Sequence, residues 1–132
     1  MLFNNEAEEL LFIANDDLDS AKILATHHKP KNEISCYLCH QCAEKALKSY
    51  LSFHGIKFKF IHNLEQLCID CQIIDQSFVL LTNECDTLNK YITLTRYSRK
   101  YDLTEFHMRQ AIIHAEKILD FVKERTTCQS TD

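Results

Sequence analysis

Residues 33–53 carry the sequence EISCYLCHQCAEKALKSYLSF. Apolar or small side chains recur along this stretch at alternating intervals of three and four residues, which is the spacing of one face of an α-helix. The positions in step are Cys36, Cys39, Ala43, Ala46 and Tyr50, with Leu47 and Leu51 beside them. Small residues on this stripe let a neighbouring helix approach closely. Gln41, Glu44, Lys45 and Lys48 fall outside the stripe.

The same spacing predicts a helix before this stretch, over residues 5–27. The positions in step there are Leu11, Ala14, Leu18, Ala21 and Ala25. Pro30 lies between the two helices, where it removes a backbone donor and breaks the helical pattern. Gly55 follows the second helix and suits the left-handed backbone conformation that often ends a helix. Residues 56–61 alternate apolar and basic side chains, and we expect an extended connection because no second strand is available for pairing.

Three more helices are predicted after this connection. Asn63 is a candidate N-cap of a short helix, with Gln66 placed to complete a capping box. A longer helix begins at Asp75 or Ser77, and a fifth begins near Thr104. The inward positions are Leu64, Leu67 and Cys68, then Phe78, Leu81, Cys85, Leu88 and Ile92, then Met108, Ile112, Ala115, Leu119 and Val122. The pattern predicts an all-α fold, an antiparallel helical bundle of four long helices plus one short helix.

The composition of the 132-residue chain agrees with one helical domain. One glycine and one proline are too few for a glycine-rich phosphate loop, a dinucleotide fingerprint or the turns of an all-β fold. No apolar run approaches the roughly 18 residues of a membrane span, and the acidic Glu6, Glu8 and Glu9 do not fit a signal peptide. We expect a domain over residues 1–126, a polar tail over 127–132, no membrane association and a cytoplasmic location.

Seven cysteines raise the question of a metal site. Thiolates one helical turn apart can supply two of the four ligands of zinc. Cys36 and Cys42 diverge by about 120° around a helix, so one ion does not easily take all three of Cys36, Cys39 and Cys42. Free thiols that pack as small buried hydrophobes are the simpler interpretation in a reducing compartment. We therefore predict no metal and no cofactor. The other candidate ligands considered are Cys68, Cys71, His40 and His62.

The formal net charge of −4 argues against general attraction for nucleic acid. The segment 91–101, YITLTRYSRKY, differs because it places three cations among aromatic rings where the fourth helix should end. Such a combination can hold a phosphate by charge and stack a base or nucleotide ring. The structural alternative is that the cations offset the dipole at a helix C-terminus while the tyrosines cover the end of the bundle.

Several motifs together resemble those of the HEPN domain family, the higher eukaryote and prokaryote nucleotide-binding domain. They are Asn15-Asp-Asp-Leu-x-x-Ala21, Cys36-Tyr-x-x-His-Gln-Cys-Ala-Glu-Lys-Ala-Leu-Lys48, His54-Gly55, His62-Asn-Leu-x-x-Leu67 and Thr95-Arg-Tyr97, in the usual order. The run in the second helix and the Arg-Tyr pair after the fourth helix carry most of the specificity. The resemblance covers nearly the whole chain.

The resemblance implies a helical bundle that commonly homodimerises and is often encoded beside a minimal nucleotidyltransferase. Many members resemble metal-independent ribonucleases with an Arg-x(4–6)-His motif, in which histidine moves the proton of a ribose 2′-hydroxyl and arginine stabilises the phosphorane. This chain departs from the motif, since Tyr101, Asp102 and Leu103 occupy the positions where the histidine would follow Arg96. Tyrosine, with a pKa of about 10, is a poor base at neutral pH. His107 is then the candidate histidine.

These observations favour a nucleotide- or RNA-binding accessory subunit that acts beside a nucleotidyltransferase, as a homodimer. Arg96 is the expected main phosphate contact, and Glu44 is its candidate partner. The other expected binding residues are Tyr97, Arg99, Lys100 and Tyr101. Two alternatives stay open: a toxin-like, metal-independent ribonuclease with Arg96 and His107 as its catalytic pair, and a structural dimerisation module without a ligand.

Overall fold

The computed structural model describes residues 5–58, 62–97 and 103–126, and of residues 94–97 it describes the backbone alone. Within these ranges the chain forms α-helices and one 3₁₀ helix, with no strand. The α-helices are α1 (Glu6–Ala25), α2 (Asn32–Phe53), α3 (Leu64–Ile74), α4 (Thr82–Tyr97) and α5 (Glu105–Thr126), and the 3₁₀ helix is Gln76–Leu81. The predicted all-α helical fold is confirmed. The predicted tail, 127–132, lies outside the described residues.

Helix α2 is the centre of the bundle, and α1 packs antiparallel against it. Every position of the predicted α2 stripe is buried. Two serines of α2 form hydrogen bonds to backbone carbonyls near the two ends of α1. Ser35 Oγ donates to the Ala21 carbonyl at 3.0 Å, and Ser49 Oγ donates to the Ala7 carbonyl at 2.8 Å. These bonds satisfy two buried hydroxyl groups and set the register of the pair.

Helix α5 runs parallel to α2 and antiparallel to α4. Leu103, just before α5, lies beside the first residues of α2. At the other end, the Phe78 ring contacts Tyr50 of α2 and Phe121 of α5, with ring centroids 4.4 and 4.9 Å apart. Glu84, early in α4, pairs with Lys117, late in α5, at 2.8 Å. The aromatic contacts close the end of the bundle where α2 and α5 finish.

The chain returns along α2 before α3 begins, so α3 runs in the same general direction as α2. His62, just before α3, contacts Glu44 in the middle of α2. Further along α3, the Cys71 thiol lies 3.7 Å from the Leu47 carbonyl oxygen. Gly55, which starts this return, has the predicted left-handed conformation with φ of 71°. The Ile56 amide then donates to the Leu51 carbonyl at 2.9 Å and completes the end of α2.

Two details of the predicted helix starts are wrong. The fourth helix does not begin as an α-helix at Asp75 or Ser77, because residues 76–81 form a 3₁₀ helix first. Three-residue turns place Phe78 and Leu81 on the same side, and both are fully buried. Asn63 does cap α3, but the Gln66 side chain donates to Asp70 at 2.9 Å instead of accepting the Asn63 amide. Only half of the capping box therefore forms.

Most predicted inward positions are buried, and the exceptions lie at the edges of the bundle. Leu11, Ala25, Ile92 and Ile112 are half-buried. Residues 56–58 belong to neither a helix nor a strand, and residues 59–61 lie outside the described part. In the described ranges, no helix combines the length and the apolar character that crossing a bilayer requires.

Candidate functional site

A cleft of about 890 Å³ opens between α2, α4 and the beginning of α3. Nearly all of its lining residues carry polar groups and come from all three elements, whereas the surfaces of α2 that meet α1 and α5 are mainly apolar. The lining residues are Tyr37, His40, Gln41, His62, Asn63, Glu65, Asp86, Asn89, Lys90, Ile92 and Thr93. Concave shape combined with converging polar groups makes this cleft the candidate functional site.

A buried ion pair lies next to the cleft. Lys48 Nζ donates to Glu44 Oε2 at 2.9 Å, and the exposed fractions of the two side chains are 8% and 2%. Burial by itself would raise the pKa of Glu44, but hydrogen bonds from Lys48 and His62 outweigh burial and hold the pKa below its usual value. Glu44 and Lys48 are thus buried although they fall outside the apolar stripe. His62 and the Phe58 ring, 5.3 Å from Lys48 Nζ, cover this side of α2.

His62 connects this pair to the cleft. Its Nδ1 donates to both carboxylate oxygens of Glu44, at 3.1 and 3.2 Å. The carboxylate is buried, whereas 74% of the imidazole is exposed. The buried Glu44 carboxylate therefore orients the exposed His62 imidazole, which lies at the mouth of the cleft.

His40 and Asn89 form the inner wall. His40 Nε2 lies 3.2 Å from Asn89 Oδ1, which also accepts from the Leu64 amide at 3.1 Å. Asn89 Nδ2 donates to Asn63 Oδ1 at 3.0 Å, so the amide joins α2, α4 and the cap of α3. Because Asn89 Oδ1 is an acceptor, we assign the His40 proton to Nε2. Nδ1 is then an acceptor, and it is buried with no partner among the described residues. Burial lowers the pKa of His40 and favours the neutral form of the ring.

Charged side chains form the outer rim. Lys90 Nζ lies 3.1 Å from Asp86 Oδ2. Hydrogen bonding between the neighbouring carboxyl groups of Glu65 and Asp86 raises the pKa of Glu65 and lowers the pKa of Asp86. Carboxylate oxygens thus dominate this part of the rim, and it favours ligand groups that donate hydrogen bonds.

In the sequence, the residues predicted to bind phosphate come directly after the α4 residues that line the cleft. The backbone of Arg96 and Tyr97 forms the last turn of α4. Arg96 comes three residues after Thr93 and seven after Asn89, which are positions on one face of a helix. Their side chains lie outside the described part, and the predicted site residues Arg99, Lys100 and Tyr101 lie outside it entirely. The predicted partner of Arg96, Glu44, contacts Lys48 and His62.

His107, the predicted catalytic histidine, caps α5. Its Nδ1 accepts the Thr104 amide at 3.0 Å and lies 3.0 Å from the Thr104 hydroxyl. The ring packs edge-on against Tyr91 of α4, with centroids 5.3 Å apart, and against Phe106 at 5.8 Å. His107 therefore lies between α4 and α5 with its Nδ1 engaged by the backbone. A contact with the Arg96 side chain falls outside the described residues.

The cysteines are buried free thiols at all six described positions. Burial raises the pKa of Cys36 and Cys42 to about 12, which disfavours the thiolate that a metal needs. In residues 5–58, 62–97 and 103–126, no three His, Cys, Asp or Glu side chains are grouped so that they could hold a metal ion.

Two residues of this site carry little signal in the sequence. The pattern marks His62 only as a candidate zinc ligand and as part of a family motif, and it does not mark Asn89 at all. The available signal is the Glu44 and Lys48 pair, since opposite charges four residues apart face each other on a helix. Such a pair is usually exposed, and nothing in the spacing shows that another segment covers it.

Comparison with known proteins gives a consistent picture. A family model described as the HEPN domain matches residues 7–125. The crystal structure of an archaeal HEPN homologue has a TM-score of 0.72 at 26% identity and covers 92% of this chain and 98% of its own. The crystal structure of a protein from Thermus thermophilus has a TM-score of 0.74 at 24% identity with the same coverage, a likeness of fold alone. The comparison with curated proteins gives no match.

Proposed function

The chain belongs to the HEPN domain family, and from this premise we propose that it binds a nucleotide or single-stranded RNA as the accessory subunit of a minimal nucleotidyltransferase. One observation carries the proposal. The lining of the polar cleft follows α4 as far as Thr93, and the backbone of Arg96 lies one helical turn further along the same face of α4. A phosphate-binding arginine at the end of a cleft of this size suits a nucleotide better than an isolated anion.

The charges indicate how such a ligand would lie. Glu65 and Asp86 repel phosphate, but their oxygens accept hydrogen bonds from ribose hydroxyls and base amino groups. The nucleoside is therefore expected in the middle of the cleft, where the half-exposed Tyr37 ring is available for stacking. The phosphate is expected toward Arg96, with Tyr97, Arg99, Lys100 and Tyr101 completing the contact.

Binding is tested by fluorescence anisotropy with two probes, labelled ATP and a short labelled single-stranded RNA, in the presence of EDTA. Arg96→Ala should weaken binding by about 10- to 150-fold, the value of a charge-assisted hydrogen bond of about 1.5–3 kcal/mol. For RNA it should also reduce the salt dependence of log K by about 0.7 per lost phosphate contact.

The matched control is Arg109→Ala. Arg109 pairs with Glu105 at 3.2 Å on exposed α5 surface and does not line the cleft, so its loss should leave both affinities unchanged. Equal weakening by the two arginine variants would contradict a site at the cleft. If the wild type binds neither probe, the proposed function is wrong and the dimerisation module is favoured.

The assembly is tested separately. We expect a homodimer, so light scattering after gel filtration should give twice the 15.5 kDa chain mass, and a monomer would contradict this. The partner is tested by mixing the purified protein with the minimal nucleotidyltransferase encoded nearest to it. Co-elution at fixed stoichiometry is expected, and independent elution at micromolar concentration would overturn the partnership.

A further inference from the structure

We propose that the cleft selects nucleotides whose base carries an exocyclic amino group, and that the buried Nδ1 of His40 accepts a hydrogen bond from this group. The inference rests on the proposed function, because a nucleotide must first bind in the cleft. It goes beyond binding by naming the class of base and the atom that recognises it. Adenine, cytosine and guanine have such an amino group, whereas uracil does not.

The orientation of the Asn89 side chain is fixed by two neighbours. The Leu64 backbone amide can only donate, so the Asn89 atom that lies 3.1 Å from it is the oxygen. On the other side, Asn89 Nδ2 lies 3.0 Å from Asn63 Oδ1, which also accepts from the Glu65 amide at 2.9 Å. A flipped amide would place a donor against a donor and an acceptor against an acceptor. Asn89 therefore presents its oxygen to His40.

This orientation determines which nitrogen of His40 carries the proton. Nε2 lies 3.2 Å from Asn89 Oδ1, so Nε2 is the donor of this hydrogen bond. Burial lowers the pKa of His40, which favours the neutral ring with a single proton. Nδ1 then keeps its lone pair, and it is buried with no hydrogen-bond partner in the described part of the chain. A ligand that donates to Nδ1 removes the free-energy penalty of this unpaired acceptor.

Access to Nδ1 requires a small adjustment of the cleft wall. Gln41 is a half-buried polar neighbour of the His40 ring and also lines the cleft. Changes of side-chain rotamer are common where a ligand binds to an otherwise rigid surface. We expect the Gln41 side chain to shift and admit the amino group.

The position of His40 favours the base over the other parts of a nucleotide. His40 follows Tyr37 by three residues, so both lie on one face of α2, and both line the cleft. A base that stacks on the Tyr37 ring presents its polar edge to the neighbouring wall. The ribose hydroxyls have other acceptors in the rim carboxylates of Glu65 and Asp86, and phosphate oxygens cannot donate. The donor left for His40 is therefore on the edge of the base.

The experiment compares two nucleotides that differ only in the recognised group. Purine riboside 5′-triphosphate lacks the 6-amino group of ATP and is otherwise identical to it. Isothermal titration calorimetry of the full chain in EDTA measures the Kd of each. The wild type should bind ATP about 10-fold more tightly, the usual value of a hydrogen bond to a buried acceptor.

His40→Phe keeps an aromatic ring and removes the acceptor. In this variant ATP should bind about 10-fold more weakly, and purine riboside triphosphate should bind as it does to the wild type. A histidine with only a structural role would weaken the binding of both nucleotides equally. The matched control is His114→Phe, because burial also lowers the pKa of His114, but His114 belongs to α5 and does not line the cleft. It should keep the preference for ATP.

Asn89 is a positioning residue, and its conservative variant tests the tautomer of His40. Asn89→Asp places a carboxylate beside Nε2 and favours the doubly protonated ring, in which Nδ1 donates. The preference should then reverse, so that ITP, with an oxygen in place of the 6-amino group, binds more tightly than ATP. A variant that is folded by circular dichroism and still prefers ATP would contradict the assignment of the Nδ1 lone pair. If Asn89→Asp does not fold, His40→Phe decides.

The outcomes separate this inference from the proposed function. A wild type that binds ATP and purine riboside triphosphate equally overturns the inference and leaves nucleotide binding standing. Equal weakening of both nucleotides by His40→Phe also overturns it. If the protein binds RNA but not free nucleotides, oligomers of adenosine and of inosine give the same comparison. A wild type that binds no nucleotide and no RNA contradicts the proposed function and the inference together.

Discussion

The two sides of α2 are equally buried but by different means. Toward α1 and α5 the helix presents small apolar residues such as Cys39 and Ala43, which need only close packing. Toward α3 and α4 it presents His40, Glu44 and Lys48, all at most 6% exposed. Each of these polar side chains has a specific partner. Burial by itself therefore does not separate core from site, whereas the partner that each buried group requires does.

The difference also bears on why the polar side exists. A buried ion pair is often no more stabilising than apolar residues of the same volume. Stability alone therefore does not account for Glu44 and Lys48 in the middle of α2. The feature that apolar residues could not reproduce is the oriented His62 at the mouth of the cleft.

The largest effect on folding is expected when the polar side loses one partner. Glu44→Ala leaves the Lys48 ammonium buried and unpaired, so the free energy of unfolding should fall by about 3–5 kcal/mol. Urea denaturation followed by circular dichroism measures this. The control is Glu44→Leu/Lys48→Met, which removes both charges and should stay within about 1 kcal/mol of the wild type. If Glu44→Ala were as stable as Glu44→Leu/Lys48→Met, the buried polar groups would not need their specific partners, and the two sides of α2 would not differ in this respect.

A smaller effect is expected when the apolar side receives a polar group. Cys39→Ser places a hydroxyl among apolar side chains, at a cost of about 1–3 kcal/mol. Cys39→Ala removes only the sulfur and should cost less. The same denaturation assay compares the two variants, and equal stabilities would show that the apolar side tolerates unpaired polar groups.

Acid should act on the polar side of α2 and not on its apolar side. Burial lowers the pKa of His40 from 6.5, so the unfolded chain binds the proton first and stability declines as the pH falls below about 6.5. The pKa of Glu44 is also lowered, so its pairing stabilises the fold above about pH 4.5 and is lost as the pH falls through the lowered value. Burial lowers the pKa of His114 too, with the same sign as His40.

Thermal unfolding between pH 7.5 and 5 tests this dependence. His40→Gln should flatten the decline, and Cys39→Ala should keep it, because the thiol has no charge to lose in this range. A slope that is the same in His40→Gln as in the wild type would assign the acid sensitivity to other groups.

The smallest effect is expected at the outer rim of the cleft. The pair between Lys90 and Asp86 is exposed, so Lys90→Ala should cost only about 0.3–0.5 kcal/mol and less at high salt. If Lys90→Ala lowered the free energy of unfolding as much as Glu44→Ala, the exposed rim would stabilise this side of α2 as strongly as the buried pair, which would contradict the account.

The helices could be predicted from the spacing of apolar residues, because burial of one helix face requires an apolar side chain every three or four positions. Cys36, Cys39 and Ala43 lie in the core as predicted. Asn63 caps the start of α3, and Gly55 follows the end of α2, both as predicted. These features are local, since each depends on neighbours within one or two turns. The 3₁₀ start before α4 could not be predicted because its inward positions also fit an α-helix.

The candidate site could be predicted only in part. Spacing assigns Glu44 to one face of α2, but it does not show that His62 returns to cover that face, because this depends on where the chain goes after Gly55. His40 and Asn89 meet across two helices that are far apart in sequence. The pattern of cations and aromatic residues indicates Arg96 as a candidate site residue. The polar residues that precede it on α4, such as Asn89, can be assigned to the site only from their contacts with α2 and the cap of α3.

The central claim is that the polar cleft between α2 and α4 binds the ligand. Nuclear magnetic resonance of the ¹⁵N-labelled protein, titrated in EDTA with the short single-stranded RNA of the binding assay, tests it most directly. We expect shifts that follow a common saturation curve for the amide signals of cleft residues such as Gln41, Asn89 and Thr93, while those of Ala14 and Ala21 on α1 stay in place. Saturable shifts centred on α1, with the cleft residues unchanged, would contradict the claim.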